Sequence, residues 1–137
     1  MKIVDIKVKD AKGSIIHLEQ ATLIKDVGIK GDINAKGGDR QISILNYNTK
    51  ESIEELKHMG LCIPKFFENF IVEGLDISQI SVGQKLHFGD SIIEITQIGK
   101  ECFSNCRLVQ SGKICDLATE TIFAKVVKTG TCQATTV

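Results

Sequence analysis

The sequence has no excess charge of either sign and no long apolar run, and these two absences exclude two classes of protein. Lysine plus arginine and aspartate plus glutamate each total 17 residues, so the formal net charge is zero. Nucleic-acid-binding domains usually carry a basic excess. No apolar stretch approaches the roughly 20 residues of a membrane-spanning helix. We therefore expect no nucleic-acid partner and no membrane partner.

Arginine is scarce as well, with only Arg40 and Arg107 in 137 residues. A guanidinium binds phosphate or carboxylate through two parallel hydrogen bonds, so each of these arginines is a candidate anion-binding group. For Arg40 the competing interpretation is a surface ion pair with Asp39 or Glu68.

The five cysteines are an odd number, and the charged, alternating start of the chain (residues 1–6) is unlike a signal peptide. A disulfide framework is therefore not expected, and working thiols in a reducing cytoplasm fit better. Three cysteines are clustered and lie among cations, which favour the reactive thiolate form. The cluster is Cys102, Cys106 and Cys115, with Lys100, Arg107 and Lys113 among them. Cys62 and Cys132 are interpreted as packing and tail residues.

Alternating apolar and polar residues predict strands near 4–8, 41–45, 70–72, 84–88 and 91–97, and an apolar run predicts another at 122–127. Gly89-Asp90 predicts a hairpin turn between two of them. A capping box predicts one helix over about Thr49 to His58. The polar residues from Thr129 onward are expected to be loose. This pattern indicates one mainly β domain with minor α structure, a small β-barrel with short helices.

A glycine-rich stretch, residues 28–40, predicts a loop, because glycine and asparagine adopt backbone angles that other residues avoid. It lacks the Gly-Lys-Ser/Thr ending of a nucleotide-binding Walker loop. It is either a functional loop or a solvated connection.

A series of short motifs runs along nearly the whole chain. In order, these are Gly28-Ile29-Lys30-Gly31-Asp32, Arg40-Gln41-Ile42-Ser43-Ile44-Leu45, Phe67-Glu68-Asn69-Phe70, Glu73-Gly74-Leu75, Val82-Gly83-Gln84-Lys85-Leu86, Gly89-Asp90, Thr96-Gln97-Ile98-Gly99-Lys100-Glu101-Cys102, Asn105-Cys106, Cys115 and Ile122-Phe123-Ala124-Lys125-Val126. In this order the motifs resemble those of the stand-alone MOSC family, named after the C-terminal domain of molybdenum-cofactor sulfurase. The resemblance implies a single domain over residues 1–137.

The resemblance implies a MOSC-like β-barrel that holds the pterin-based molybdenum cofactor (molybdopterin) and uses a cleft cysteine as a persulfide carrier or molybdenum ligand. One of Cys102, Cys106 and Cys115 would have that role, because soft thiolates suit such a metal. Anion and pterin contacts would come from residues with suitable donors and acceptors. These candidates are Arg40, Lys100, Arg107, Glu68, Asn69, Gly37 and Gly38.

A sulfurtransferase-like role in molybdenum-cofactor metabolism needs a sulfur source. No pyridoxal-phosphate lysine motif is visible, so pyridoxal phosphate is not expected and a cysteine desulfurase would be the donor. The acceptor would be the molybdenum cofactor or a molybdoenzyme.

Two other classes of function stay open. The three clustered cysteines could bind structural zinc with His87 or His58 as the fourth ligand, although their spacing differs from paired zinc knuckles. Alternatively, the barrel is a non-catalytic module that binds a small anion or a protein partner.

The sequence departs from the family pattern in three places. Asn34 stands where many members have histidine, and Asp116-Leu117-Ala118 replaces a proline-containing segment. The tail lacks the Gly-Asp-containing final strand. The C-terminal strand is therefore expected to be shortened after about residue 128.

Overall fold

The computed structural model describes residues 1–48, 67–99 and 121–134. This part of the chain is mainly β, as the sequence predicted. The strands are β1 (Lys2–Lys9), β2 (Ile15–His17), β3 (Gln20–Ile24), β4 (Gly28–Ile29), β5 (Ile42–Asn46), β6 (Phe70–Glu73), β7 (Lys85–Phe88), β8 (Ser91–Ile98), β9 (Ile122–Lys128) and β10 (Gly130–Gln133).

Seven of these strands form one curled sheet in the order β2-β1-β6-β5-β9-β8-β7, and the other three form a small sheet in the order β10-β3-β4. All pairs are antiparallel except β5 and β6, which run parallel. Parallel neighbours have their amino ends at the same edge of a sheet. The residues that enter β5 and β6 are therefore neighbours in space.

The core lies between the two sheets and is built from the inward side of the alternating strands. Ile6, Leu23, Ile44, Ile93 and Ile95 are fully buried. The rings of Phe70 and Phe88 meet edge to face, with centroids 4.9 Å apart and an interplanar angle of 82°. Apolar burial of this kind is the main favourable contribution to folding.

The hairpin predicted at Gly89-Asp90 is confirmed, with Lys85 to Phe88 paired to Glu94 to Ser91. A single 3₁₀ turn, Ile77–Gln79, follows β6 and is capped by Asp76. The helix predicted at 49–58 lies outside the described residues. Within the described ranges, no helix combines the length and apolar character required to cross a bilayer.

The expectation of a loose tail from Thr129 was wrong for residues 130–133, which form β10. Gly130 to Gln133 pair with Leu23 to Gln20 of β3, and the Cys132 side chain is buried. β10 is largely polar, and its pairing partner β3 lies more than a hundred residues away in the chain. Neither feature produces a local alternation of apolar and polar residues, so the sequence did not reveal this strand.

Glycine at position 89 is required by a close approach between the hairpin and β10. The Asp90 amide donates to the Thr131 carbonyl at 2.9 Å. Gly89 has a φ of +60°, and a Cβ there would collide with the Thr131 carbonyl and lie 2.9 Å from the Cys132 Cα. The turn between β7 and β8 can therefore contact β10, and so join the two sheets, only when residue 89 has no side chain.

Gly89→Ala is expected to destabilise the fold more than Gly13→Ala, its matched control. Gly13 also has a positive φ, +83°, but a Cβ there would meet no heavy atom within 4 Å. The control should cost about 1–2 kcal/mol from backbone strain alone. Gly89→Ala should cost about 1–3 kcal/mol more from the collision. Urea unfolding measures both values, and equal losses would contradict the close approach.

Candidate functional site

A cleft of about 310 Å³ opens where the glycine-rich loop meets the amino ends of β5, β6 and β9. Its described lining carries two cations, two aromatic rings and neutral hydrogen-bonding groups, with no acidic side chain. The lining residues are Asn34, Lys36, Arg40, Gln41, Ser43, Phe67, Asn69 and Phe123. This composition suits an anionic ligand that also has a flat ring.

Arg40 is exposed at the cleft and is held from two sides. Its Nε donates to Gln97 Oε1 at 3.1 Å, and its guanidinium carbon lies 4.6 Å from the centre of the Phe123 ring. Such cation–π contact contributes about 0.5–1 kcal/mol at exposed sites. A guanidinium has five N–H donors, and the bond to Gln97 uses one of them. Arg40 is therefore oriented while keeping the donors that an anion needs.

Asn69, predicted to donate to a pterin or phosphate oxygen, is 4% exposed and forms a network within the protein. Its Nδ2 donates to the Lys7 carbonyl and to Asp32 Oδ2, both at 3.1 Å. Its Oδ1 accepts the Ser43 amide at 3.1 Å. Both amide hydrogens are thus engaged within the protein. Asn69 shapes the cleft floor, and direct donation to a ligand stays a prediction.

Asp32 fastens the glycine-rich loop to this network and was missed by sequence reasoning. It is 7% exposed, and its Oδ1 accepts the Lys9 and Asn34 amides at 3.2 and 3.3 Å. The sequence signal that could have identified it is its place at the end of the motif Gly28-Ile29-Lys30-Gly31-Asp32. Because Asn34 lines the cleft, Asp32 fixes the side of the cleft that Asn34 forms.

Glu68, predicted to accept a pterin N–H, is 1% exposed and forms an ion pair with Lys7, whose Nζ lies 2.5 Å from its Oε1. Lys7 and Lys9 also lie over the Phe67 ring, with Nζ-to-centroid distances of 5.5 and 4.8 Å. The buried carboxylate is therefore neutralised by a cation of β1. A ligand contact for Glu68 stays a prediction.

Gly37 and Gly38, predicted to form an anion nest, have φ values of +77° and +83°. The Gly37 amide donates to the Val27 carbonyl at 3.1 Å. The Gly38 carbonyl accepts Gln41 Nε2 at 2.9 Å, and Gln41 Oε1 accepts the Val126 amide at 2.9 Å. Gln41, another residue that sequence reasoning missed, thus ties the loop to β9.

The segment that carries the three clustered cysteines leaves and rejoins the described structure beside this cleft. Ile98 of β8 pairs with Ile122 of β9, and the Gly99 amide donates to the Thr121 carbonyl at 2.6 Å. We call Gly99 and Thr121 the neck of residues 100–120. Gln97 joins the neck to Arg40, because its Nε2 donates to the Gly99 carbonyl at 2.8 Å.

The predicted site residues Cys102, Cys106, Cys115, Lys100 and Arg107 lie outside the described residues. Within the described ranges, no group of three or more His, Cys, Asp or Glu side chains could hold a metal ion.

Of the proposed zinc ligands, only His87 is described. It pairs with Ile92, seven residues before Gly99 along β8, a distance of about 23 Å at the usual rise per residue. His87 therefore lies far from the neck.

A larger open cleft of about 750 Å³ lies at the opposite, carboxyl ends of β5 and β6. Its described lining contains Glu73 and Asp76 but no cation. Asp76 Oδ1 accepts the Ser78 amide at 3.0 Å, so this carboxylate caps the 3₁₀ helix. Among the described lining residues, those of the smaller cleft are therefore the better match to an anionic ligand.

Comparison with known proteins finds similarity in structure alone. No family model matches the chain, and no curated protein matches it. The solved structure of YuaD from Bacillus subtilis is 17% identical, with a TM-score of 0.70 over 97% of this chain and 91% of that one. YiiM from Escherichia coli is 18% identical, with a TM-score of 0.58 over 97% of this chain and 66% of that one. YiiM from Geobacillus stearothermophilus is 17% identical, with a TM-score of 0.59 over 96% and 70%.

At these identities the likeness shows a shared fold. The chain spans 66% of the Escherichia coli YiiM chain, just under two thirds of its length. The common architecture agrees with the β-barrel fold class that the sequence predicted.

Asn69→Asp should destabilise the protein more at neutral pH than at acid pH. The introduced carboxyl would face Asp32 Oδ2, now 3.1 Å from Asn69 Nδ2, and this like charge should raise its folded-state pKa above the usual 3.9 or so. Its protonated form is compatible with folding. The loss of unfolding free energy is therefore small at a pH below the unfolded-state pKa of this carboxyl. It grows as the pH rises through the folded-state pKa.

Urea unfolding near pH 4 and near pH 8 tests this expectation, with a difference of about 3 kcal/mol expected between them. Asn34→Asp is the control, because it changes an exposed amide of the same cleft. A penalty independent of pH would contradict the contact between positions 69 and 32.

Cys132 should resist alkylation in the folded protein. Burial raises the pKa of its thiol from 9.0 to about 11, so its thiolate fraction near pH 8 falls roughly 100-fold. For the same reason, the stability that the buried neutral thiol confers should be lost as pH rises from 9.0 towards 11. Peptide-mapped iodoacetamide kinetics, compared between folded and urea-unfolded protein, measure the protection. Equal rates in both states would refute it.

Proposed function

We propose that the chain is a MOSC-type domain that binds the phosphate-bearing molybdenum cofactor at the Arg40 cleft. One of Cys102, Cys106 and Cys115 carries sulfur as a persulfide or ligates the metal. The observation that supports this most is the position of the neck. The hydrogen bonds of Gln97 link Arg40 to Gly99, where the cysteine-bearing segment begins.

The residues of the cleft fit such a ligand. Arg40 and Lys36 supply positive charge for a phosphate, and Phe67 and Phe123 supply flat apolar surface for a ring system. The volume, about 310 Å³, lies at the lower end of the range for small-molecule sites. When bound, the cofactor would supply a thiophilic molybdenum centre.

Sulfur carriage needs only a thiolate and a persulfide donor. A cysteine thiolate of the cluster attacks the outer sulfur of the donor persulfide and forms a new S–S bond. The donor S–S bond breaks, and the donor leaves as a thiolate, so no oxidant or reductant is consumed. Arg107 directly follows Cys106, and Lys100 lies two residues before Cys102. Nearby cations of this kind favour the attacking thiolate.

The donor in this proposal is a cysteine desulfurase, and the acceptor is the molybdenum cofactor or a molybdoenzyme. Exchange through free thiols requires a reducing compartment, so the proposed location is the cytoplasm.

Sulfur loading should depend on the cysteine cluster. After incubation with a cysteine desulfurase and cysteine, native mass spectrometry should show a thiol-reducible gain of one sulfur atom. The Cys102→Ser, Cys106→Ser, Cys115→Ser triple variant should lose this gain, because serine is a poor sulfur nucleophile. The Cys62→Ser, Cys132→Ser double variant is the matched control and should retain it. Equal loading of the triple variant and the parent would refute the proposed chemistry.

Two single-residue variants of the protein test the proposed anion site. Arg40→Gln should weaken binding of a pterin phosphate by roughly tenfold or more, as expected for lost charge-assisted hydrogen bonds. Lys85→Gln, at an exposed position of β7, removes the same charge outside the cleft and should leave binding unchanged. Sulfur loading should persist in both variants, so failure of anion binding is distinguishable from failure of sulfur carriage.

A further inference from the structure

Strand β8 contains a bulge beside the cleft. Ile95 pairs with Ala124 and Gln97 with Phe123, so Thr96 is an extra residue on β8. A bulge redirects the side chains next to it. Here it directs Thr96 and Gln97 towards the glycine-rich loop.

The two redirected side chains hold consecutive loop residues. Thr96 Oγ1 donates to the Asp39 carbonyl. Gln97 Oε1 accepts from Arg40 Nε at 3.1 Å. The Arg40 guanidinium is therefore positioned by β8 as well as by its own loop.

Gln97 also reaches in the other direction. Its Nε2 donates to the Gly99 carbonyl at 2.8 Å, and the Gly99 amide donates to the Thr121 carbonyl at 2.6 Å. Only one orientation of the side-chain amide satisfies both partners of Gln97, because a guanidinium N–H needs an acceptor and a carbonyl needs a donor. The Gln97 side chain thus connects the Arg40 guanidinium to the neck.

We propose that Gln97 is a positioning residue that couples anion occupancy at Arg40 to the neck formed by Gly99 and Thr121. An anion that draws the Arg40 guanidinium changes its bond to Gln97, and the opposite end of the same amide transmits the change to Gly99. This coupling rests on the proposed anion site at Arg40. It is reciprocal, so the state of the neck changes the affinity of the cleft by the same factor.

The test uses inorganic phosphate as the probe and NMR of the full-length, isotope-labelled protein. Phosphate should shift the Arg40 Nε–H resonance and slow hydrogen exchange at the Gly99 amide by about fivefold, the lower end of coupling between two sites. Gln97→Met, which keeps the side-chain length but removes the acceptor and the donor, should abolish the response at Gly99. Gln133→Met, at the exposed end of β10, makes the same substitution away from the cleft and should retain it.

Gln97→Glu separates the two hydrogen bonds. A carboxylate still accepts from Arg40 but cannot donate to the Gly99 carbonyl. This variant should therefore keep an ordered Arg40 Nε–H resonance, while faster basal exchange at Gly99 no longer responds to phosphate. The introduced carboxylate also competes with phosphate for Arg40, so the variant and the parent are compared at phosphate concentrations that shift the Arg40 resonance equally. On that basis it tests the coupling even if Gln97→Met is unstable.

The outcomes separate this inference from the proposed function. If phosphate shifts the Arg40 resonance but the Gly99 response is absent, or persists in both Gln97 variants, the coupling is wrong while the anion site stands. If phosphate leaves Arg40 unperturbed in the parent protein, the anion site is wrong and the coupling falls with it.

Discussion

Three other parts of the chain meet at the buried side-chain amide of Asn69, and the position of the cleft depends on this contact. The amide bonds to β1 through the Lys7 carbonyl, to β5 through the Ser43 amide and to the glycine-rich loop through Asp32. Leaving one such buried polar group without a partner costs about 1–3 kcal/mol. The partners are therefore fixed together, and the loop can take only the position that satisfies the amide.

The parallel pair β5 and β6 explains why this contact forms at the cleft. Asn69 directly precedes β6, and Ser43 lies near the amino end of β5. Their hydrogen bonds continue the sheet beyond the last strand pairing and close the cleft floor with neutral groups. The buried charges of Glu68 and Lys7 neutralise each other. The cations that remain for a ligand, Arg40 and Lys36, are at the exposed rim, where they can attract an anion from solution.

The sequence predicted much of the fold because alternation is a local signal. The hairpin at Gly89-Asp90 and the strands on both sides of it follow directly from period-two patterning. Arg40, predicted from the scarcity of arginine to bind an anion, lines the smaller cleft, and the anion contact itself stays a prediction. Gln97 and Asp32 were missed as functional residues because their importance comes from partners 57 and 37 positions away. β10 was missed for the same reason, since its pairing partner β3 lies at the other end of the chain.

By itself, the sequence determined the β character of the chain, the glycine-rich loop apart from its first two residues, which form β4, and the identity of the thiols and cations available for chemistry. These properties depend on composition and on contacts within a few residues. Only the tertiary structure decided that Asn69 and Glu68 face the interior, that Gly99 meets Thr121, and that one glutamine connects Arg40 to this neck. Burial and hydrogen-bond partners are set by which distant strands pair, and the bulge at Thr96 then sets where the side chains point. The periodicity of the sequence predicts neither the pairing of distant strands nor the position of the bulge.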